Sequence, residues 1–130
     1  MKAQKKTALS LATANVPGTM GKVFSKLAGA GINVPALTAW IEAGKGQFRL
    51  ITDDNEKAAE LLRKDGYAPS MEEVVVVTAE NKAGAAWAIG EKLGQAGINI
   101  LKAFATSGGA GEGMLVLFTE DNDKAVTALS

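Results

Sequence analysis

The chain of 130 residues contains no cysteine and no histidine. Without cysteine it forms neither a disulfide nor a thiolate, and nothing indicates an oxidising compartment. Without histidine it lacks the imidazole used in general-base catalysis, in the usual catalytic triads and in typical zinc and copper sites. Its carboxylates do not have the spacing of a metal-binding loop. We therefore expect no catalytic residue, no metal, no cofactor and no enzymatic activity.

An excess of charge of either sign is also missing, since 14 basic residues balance 14 acidic ones. A neutral chain lacks the long-range field that draws a domain to nucleic acid or to an anionic membrane. Lys2, Lys5 and Lys6 cluster at the start of the chain, where we expect a loose, solvated tail. No stretch is long and apolar enough to span a membrane. We therefore expect neither nucleic acid nor membrane as a partner.

The apolar segment Thr7–Ala14 follows the basic start and has two interpretations. It is similar to a short signal peptide, but it is at the lower limit of the required length and is interrupted by Thr and Ser. It also fits a β-strand, because a run of the same type, Val74–Ala79, occurs at the equivalent place later in the chain. We favour the strand and expect a cytoplasmic protein.

The chain repeats itself over half of its length. Asn15-Val16-Pro17-Gly18, followed by a helix-like run to Gly31-Ile32-Asn33-Val34, recurs as Asn81-Lys82-Ala83-Gly84 and Gly97-Ile98-Asn99-Ile100. After a loop that is one residue longer in the second copy, Asp54–Ala58 returns as Asp121–Ala125. Self-similarity of this extent indicates two like modules packed together, which we place at residues 7–72 and 73–130.

Each copy shows the same order of periodic patterns. β-branched and apolar runs predict strands, and an apolar stripe at helical spacing predicts each first helix. The predicted strands are Thr7–Ala14, Ile32–Ile41, Phe48–Thr52, Glu73–Ala79, Ile98–Ala105 and Met114–Thr119. Gly31 and Gly97 are expected to end the first helices, and Asp53 or Asp54, with Asp121, to cap the second. The order predicts an α+β fold, with antiparallel strands and both helices on one face.

Two parts of this pattern are incomplete. Few residues separate the second helix from the strand at Glu73, so the fourth strand of the first module must be very short, at about Tyr67–Ser70. The second module stops at Ser130, inside or just after its second helix, and lacks a fourth strand. An unpaired sheet edge is expected there. Either the sequence is truncated or a neighbouring chain covers that edge.

The ordered set of motifs, present twice, resembles the ACT domain, a small regulatory module of amino-acid-metabolic enzymes and of stand-alone proteins. The first copy has the full Asn-x-Pro-Gly motif, whereas the second has Ala83 in place of the proline. The resemblance implies two ferredoxin-like βαββαβ modules, the second without its last strand, in a regulatory protein without a catalytic domain. Modules of this family pair side by side and bind small amino acids at the seam between modules.

The resemblance also implies which residues bind the ligand. They lie in the loop before the first helix and at the start of the second strand of each copy: Asn15, Val16, Pro17, Gly18 and Asn33, with Asn81, Gly84 and Asn99. Trp87 joins this set, because it lies in the first turn of its helix and off the apolar stripe. The expected partners are a small amino acid, a second copy of the chain in a homodimer, and an amino-acid-metabolic enzyme.

The residue types suit a zwitterion of no net charge. A helix N-terminus offers free backbone N–H groups and partial positive charge to a carboxylate. Gly18 and Gly84 let a ligand approach the backbone, and Pro17 makes the first loop stiffer. The amides of Asn33 and Asn99 have both donors and an acceptor for either end of the ligand. We expect these polar and glycine positions to converge on one rim of each module.

Structural interpretations remain open for the same positions. Asn15 and Asn81 are also suited to cap a helix, the two later asparagines to close a turn, and the loop glycines to allow tight packing of helix against strand. The segment Gly108–Gly113 is expected to be a flexible hairpin rather than a phosphate loop, because no helix follows it. Two function classes therefore remain, an amino-acid-binding regulator and a structural module that dimerises or docks on an enzyme. If only one copy binds, we expect it to be the first.

Overall fold

A computed structural model of the protein describes residues 1–109 and 111–130. The elements in this part of the chain, in sequence order, are β1 (Lys2–Ala14), α1 (Thr19–Gly29), β2 (Ala36–Glu42), β3 (Lys45–Ile51), α2 (Asn55–Lys64), β4 (Ser70–Glu80), α3 (Ala85–Gln95), β5 (Ile100–Ser107), β6 (Glu112–Thr119) and α4 (Asn122–Leu129). The chain divides into two compact units. The first unit is Thr7–Glu72, and the second is Glu73–Ser130 together with Met1–Lys6.

In the first unit, β3 pairs antiparallel with β1 on one side and with β2 on the other. Leu11 of β1 lies opposite Phe48 of β3, and Leu9 lies opposite Leu50. These four side chains share one face of the sheet, because successive residues of a strand point to opposite faces. They form a buried core with residues of both helices, among them Val23, Leu27, Ala58, Ala59 and Leu62. Both helices of the unit therefore cover the same face of its sheet.

The second unit has the same arrangement. β6 pairs antiparallel with β4 and with β5. The core contains Val75, Val77 and Leu117 from the strands, and Ile89, Leu93, Ala125 and Leu129 from α3 and α4. The fold is thus α+β, with two modules of antiparallel strands and paired helices, as the sequence predicts.

The predicted helix ends are confirmed at both copies. Gly31 and Gly97 have positive φ angles of 74° and 71°, a left-handed conformation that favours glycine. Asp54 is the N-cap of α2, and its side chain accepts a hydrogen bond from the N–H of Lys57 at 3.0 Å. Asp121 caps α4 through the N–H of Lys124 at the same distance. The choice left open between Asp53 and Asp54 is therefore decided for Asp54.

The prediction of a short separate strand at Tyr67–Ser70 is wrong. Residues 67–69 are not in a strand, and Ser70 is the first residue of the long strand β4. The N–H of Tyr67 donates instead to the carbonyl of Leu62, at the end of α2. The Tyr67 side chain packs against the core of the first unit. This segment therefore completes the helix end and fills the core, and its backbone is not available to a sheet.

The prediction of a loose N-terminal tail is also wrong. Lys2–Lys6 is the start of β1, and it belongs to the second unit, where Ala3 packs against the core. The Lys5 ammonium lies 2.5 Å from a carboxylate oxygen of Asp123 and 3.9 Å from one of Glu73. Hydrogen bonding and attraction to Asp123, and then attraction to Glu73, raise the pKa of Lys5 above its ordinary value. The N-terminus thus supplies strand residues to the second unit, the module that was expected to lack a fourth strand.

Candidate functional site

The loop between β1 and α1 is built around a left-handed glycine. Gly18 is the N-cap of α1 with φ 87°, and Gly84 has the same φ at the start of α3. A Cβ added at either glycine would meet nothing within 4 Å. The interpretation of these glycines as positions of tight helix packing is therefore wrong, since the backbone conformation requires glycine and the space beside it is open. A ligand has access to the backbone at both positions.

The capping interpretation of Asn15 and Asn81 is also wrong. The N-cap residues of α1 and α3 are the two glycines, and neither helix has a side-chain cap. In the first loop the Thr19 hydroxyl donates to the carbonyl of Val16 at 2.9 Å and closes the turn in place of an asparagine. Within the described residues, the Asn15 side chain makes no hydrogen bond and is exposed. Its amide is therefore free for another group.

The loops before α1 and α3 differ in their contacts with the hairpin that follows in the same unit. In the first unit, Ala43 and Gly44 alone connect β2 to β3. In the second unit, the longer hairpin lies against Asn81: its backbone N–H donates to the carbonyl of Gly111 at 2.7 Å, and its side-chain amide donates to the carbonyl of Gly109. Ala110 of this hairpin lies outside the described residues. The second asparagine is thus already engaged by its own unit.

A cavity of about 310 Å³ lies beside the loop of the first unit and is called the first cavity below. The end of β1, the start of α1 and the hairpin side of β2 and β3 enclose it. Its lining residues are Thr13, Ala14, Asn15, Val16, Gly18, Thr19, Met20, Ala39, Trp40, Ile41, Gly46, Gln47 and Phe48. None of these side chains is charged. The volume is at the small end of the range typical of small-molecule sites, about 300–1,000 Å³.

A second cavity, of about 250 Å³, occupies the equivalent place in the second unit. Asn81, Ala85 and Ala86 line it where the first cavity has Asn15, Thr19 and Met20. Its chemistry differs, because Glu80 and Lys82 also line it and form an ion pair with an N–O distance of 3.3 Å. Both repeats therefore build a cavity at the same loop, but only the first has an uncharged lining among the described residues.

Asn33 and Asn99 do not line these cavities. Each follows the C-terminus of its helix, and α1 alone has 11 residues, a length of about 16 Å. The backbone N–H of Asn33 donates to Asp53 at 3.1 Å, and that of Asn99 donates to Glu120 at 3.1 Å. The expectation that all candidate positions converge on one rim of each module is therefore wrong, because the first helix separates the two groups.

The remaining candidates lie at the surface. Pro17 is exposed in the first loop, and Val16 lines the first cavity although 56% of it is exposed. Trp87 is 72% exposed and, with Gly84 and Met1, borders a separate depression of about 430 Å³. Trp40 lines the first cavity, whereas Trp87 lines neither of the two cavities described above. Trp40 also stacks under the guanidinium of Arg49, 5.2 Å from the ring centre, which holds the ring in place.

Sequence reasoning missed several residues of the first cavity, namely Thr13, Met20, Trp40, Gly46 and Phe48. One signal was present for Thr13, because it continues the alternation of Leu9 and Leu11 and so points to the core face. The hydroxyl at a core position was visible in the sequence, but its neighbours across the sheet were not. Among the described residues, no cluster of three or more acidic side chains is placed to hold a metal ion. In the same part of the chain, no helix is long and apolar enough to cross a membrane.

Comparison with known proteins gives structural relatives. A search of curated proteins found no match. A crystal structure of a protein from Bacteroides thetaiotaomicron is 26% identical, with a TM-score of 0.89, and the match covers 98% of this chain and 88% of that one. The ligand-free regulatory subunit of aspartate kinase from Thermus thermophilus is 17% identical, with a TM-score of 0.69 and coverage of 99% and 95%. These likenesses show the fold.

A larger relative contains this fold as one part. E. coli aspartokinase III, crystallised in complex with lysine and aspartate, is 20% identical with a TM-score of 0.58. The match covers 98% of this chain but 31% of the aspartokinase chain. The family model that describes an ACT domain pair matches residues 5–129, nearly the whole sequence. With its two repeated modules, this chain belongs to the ACT domain pair family.

Proposed function

We propose that this protein binds a small free amino acid in a loop cavity and acts as a regulator without catalytic activity of its own. ACT domains are regulatory modules. The observation that carries the proposal is the recurrence of a cavity at the same loop in both units, beside a left-handed glycine at the start of a helix. The two cavities have different side chains in their linings. Their common position therefore depends on the backbone arrangement that the two modules share.

The chemistry of the first cavity suits an amino acid. The first turn of α1 has backbone N–H groups without intrahelical acceptors, which favour a carboxylate. Gly18 leaves open space beside this turn. The apolar side chains of Met20, Trp40 and Phe48 line the rest of the cavity and suit the ligand side chain. We place the site in the first unit, because the Asn15 amide makes no hydrogen bond within the described residues, whereas Asn81 is engaged by its hairpin.

Asn33 and Asn99 enter this proposal through a second copy of the chain. Each lies a helix length away from the cavity of its own unit, so a ligand in that cavity does not reach it there. We therefore propose a homodimer in which a module of the partner brings an asparagine of this type to the ligand. The regulated partner is proposed to be an amino-acid-metabolic enzyme, in keeping with the aspartate kinase regulatory subunits that share the fold.

Titration calorimetry of the full chain against each of the twenty amino acids, up to millimolar concentration, tests the proposal. We expect heat and a rise in the thermal unfolding midpoint with a small subset, because a ligand that binds the folded state stabilises it. The variant Asn15→Ala is expected to weaken binding, and Asn81→Ala, the matched control, to leave it unchanged. Absence of heat and of a thermal shift with all twenty would refute the proposal.

A second candidate function is docking without a ligand, favoured by the exposed apolar residues of the second unit. Trp87 is 72% exposed and Met1 is 53% exposed, and both border the same depression. Large exposed apolar side chains grouped in this way are typical of protein–protein contacts. Native mass spectrometry separates the two functions. A strict oligomer that Trp87→Ala disrupts and that no amino acid affects would support docking between copies of the chain, and a monomer would exclude docking between copies.

A further inference from the structure

The floor of the first cavity contains a buried hydroxyl. Thr13 is the one polar side chain counted as buried among the residues that the structure describes, with 5% exposed, and it lines the first cavity. Its Oγ1 donates to the carbonyl of Ala14 at 3.3 Å, longer than the usual 2.7–2.8 Å for a hydroxyl donor. A hydroxyl also has two acceptor lone pairs. No described group donates to this oxygen, so its capacity to accept is unused in the cavity.

The opposite strand is shaped around this hydroxyl. Gly46 of β3 lies directly across from Thr13 in the β1–β3 register. A Cβ at Gly46 would be 2.6 Å from Thr13 Oγ1, which is closer than any normal contact. In the second unit the matching pair is Ala79 and Gly113, where a Cβ would meet its first neighbour at an ordinary 3.5 Å. The combination of hydroxyl and close glycine therefore belongs to the first cavity and not to the second.

We propose that Thr13 accepts a hydrogen bond from the α-ammonium of an amino acid with an uncharged, apolar side chain. The inference rests on the proposed function and names the ligand class and a specificity residue. Burial of an unpaired charge is costly, and the lining of the first cavity contains no charged side chain to pair with one. The carboxylate of an amino acid offsets its own ammonium, but no lining side chain offsets a third charge, so the cavity disfavours amino acids with charged side chains, such as the lysine and aspartate bound to E. coli aspartokinase III. The Thr13 hydroxyl, in turn, selects an ammonium over a ligand that has only the carboxylate.

The test compares two amino acids with the same molecules lacking the ammonium group. The probes are L-leucine and L-valine against 4-methylpentanoate and 3-methylbutanoate, measured by calorimetry on the full chain. We expect the unmodified protein to bind the better amino acid at least about tenfold more tightly than its acid analogue, since a hydrogen bond to a charged group contributes that much. Thr13→Val should lose this preference and leave affinity for the analogue unchanged. Thr13→Ser should restore it, and Thr106→Val, in the second cavity, should have no effect.

The outcomes separate the inference from the proposed function. Binding of no amino acid at all refutes the proposed function. Binding of L-lysine or L-aspartate, but of neither probe amino acid, overturns the ligand class and leaves the proposed function standing. If Thr13→Val loses affinity for the amino acid and for its analogue equally, Thr13 contributes only packing at the floor of the first cavity. That result also overturns the inference. If Thr13→Val does not fold, equal affinity of the unmodified protein for amino acid and analogue would overturn it.

Discussion

At the scale of single residues, the first unit contains two glycines that are required for different physical reasons. Gly46 leaves room for the hydroxyl of Thr13 across the sheet. Gly18 has φ 87° at the start of α1, a conformation that side chains other than glycine rarely adopt, although the space beside it is open. Glycine is thus required at Gly46 by a close approach and at Gly18 by a positive φ. Substitution by alanine tests each reason separately.

Replacement of Gly46 by alanine is expected to destabilise the protein. The new Cβ would lie 2.6 Å from Thr13 Oγ1, and overpacking of this type costs about 1–3 kcal/mol. The matched control is Gly113→Ala, where the nearest contact is an ordinary 3.5 Å and a much smaller change is expected. Urea unfolding of both variants measures the difference. Equal changes in the free energy of unfolding would contradict the close approach of Gly46 to Thr13.

Replacement of Gly18 by alanine is expected to cost about 1–2 kcal/mol, because an alanine is strained in the left-handed conformation. Gly21, within α1, has no positive φ and nothing within 4 Å of an added Cβ. Gly21→Ala should therefore stabilise the protein by about 0.5–1 kcal/mol through helix propensity. Opposite shifts of the thermal unfolding midpoint are expected for the two variants. A midpoint that does not fall in Gly18→Ala would show that the first loop does not hold Gly18 in this conformation.

At the scale of elements, the second helices of the two units begin in the same way. The Thr52 hydroxyl donates to Asn55 at 2.6 Å, and the Asn55 amide donates to the backbone of Thr7 at 2.9 Å. Thr119 and Asn122 repeat this pattern, with the Asn122 amide donating to the backbone of Glu73. Together with the aspartate caps, these bonds fix the helix start to the first strand of each unit. The similarity of the two copies therefore extends to specific hydrogen bonds.

The cap of α2 provides a prediction at this scale. Asp54→Ala removes the acceptor for the N–H of Lys57 and is expected to cost about 0.5–2 kcal/mol. Asp54→Asn retains an oxygen acceptor of similar capping strength and serves as the matched control, with a small change. Guanidinium unfolding followed by circular dichroism compares the two. Equal losses would indicate that the charge, and not the capping hydrogen bond, accounts for the effect.

At the scale of the whole molecule, the N-terminal residues are part of a folded unit rather than a tail. Ala3 packs against the core of the second unit, and Lys5 forms ion pairs with Asp123 and Glu73. Exposed ion pairs contribute little to stability, whereas strand formation and core packing contribute more. The strand segment, rather than its lysine charges, is therefore expected to matter for the second unit.

Deletion of residues 2–6 is expected to destabilise the second unit more than the first. Hydrogen exchange followed by mass spectrometry should show faster exchange in β4 and β6, with a smaller change in β2 and β3. Lys5→Ala, which removes the ion pairs and leaves the backbone in place, is the control and should change exchange little. A deletion variant with unchanged exchange in β4 would show that the N-terminal segment does not support this unit.

Local patterns account for the features that were predicted correctly. The helix stripes, the caps at Asp54 and Asp121 and the left-handed Gly31 and Gly97 all depend on residues within a few positions of each other. The errors concern interactions over longer distances along the chain. The tail at Lys2–Lys6 becomes a strand because residues more than 60 positions away pack against it. Sequence periodicity carries no information about which distant segment supplies such a contact.

The candidate site also combines features that depend on local sequence with features that depend on contacts between distant segments. The sequence by itself determined that a loop ending in glycine precedes the first helix of each module, because turn and helix-end conformations depend on local steric and hydrogen-bonding preferences. Only the tertiary structure decided that Thr13 and Trp40 line the cavity beside that loop. Those placements depend on the register between strands, which side-chain packing across the sheet selects.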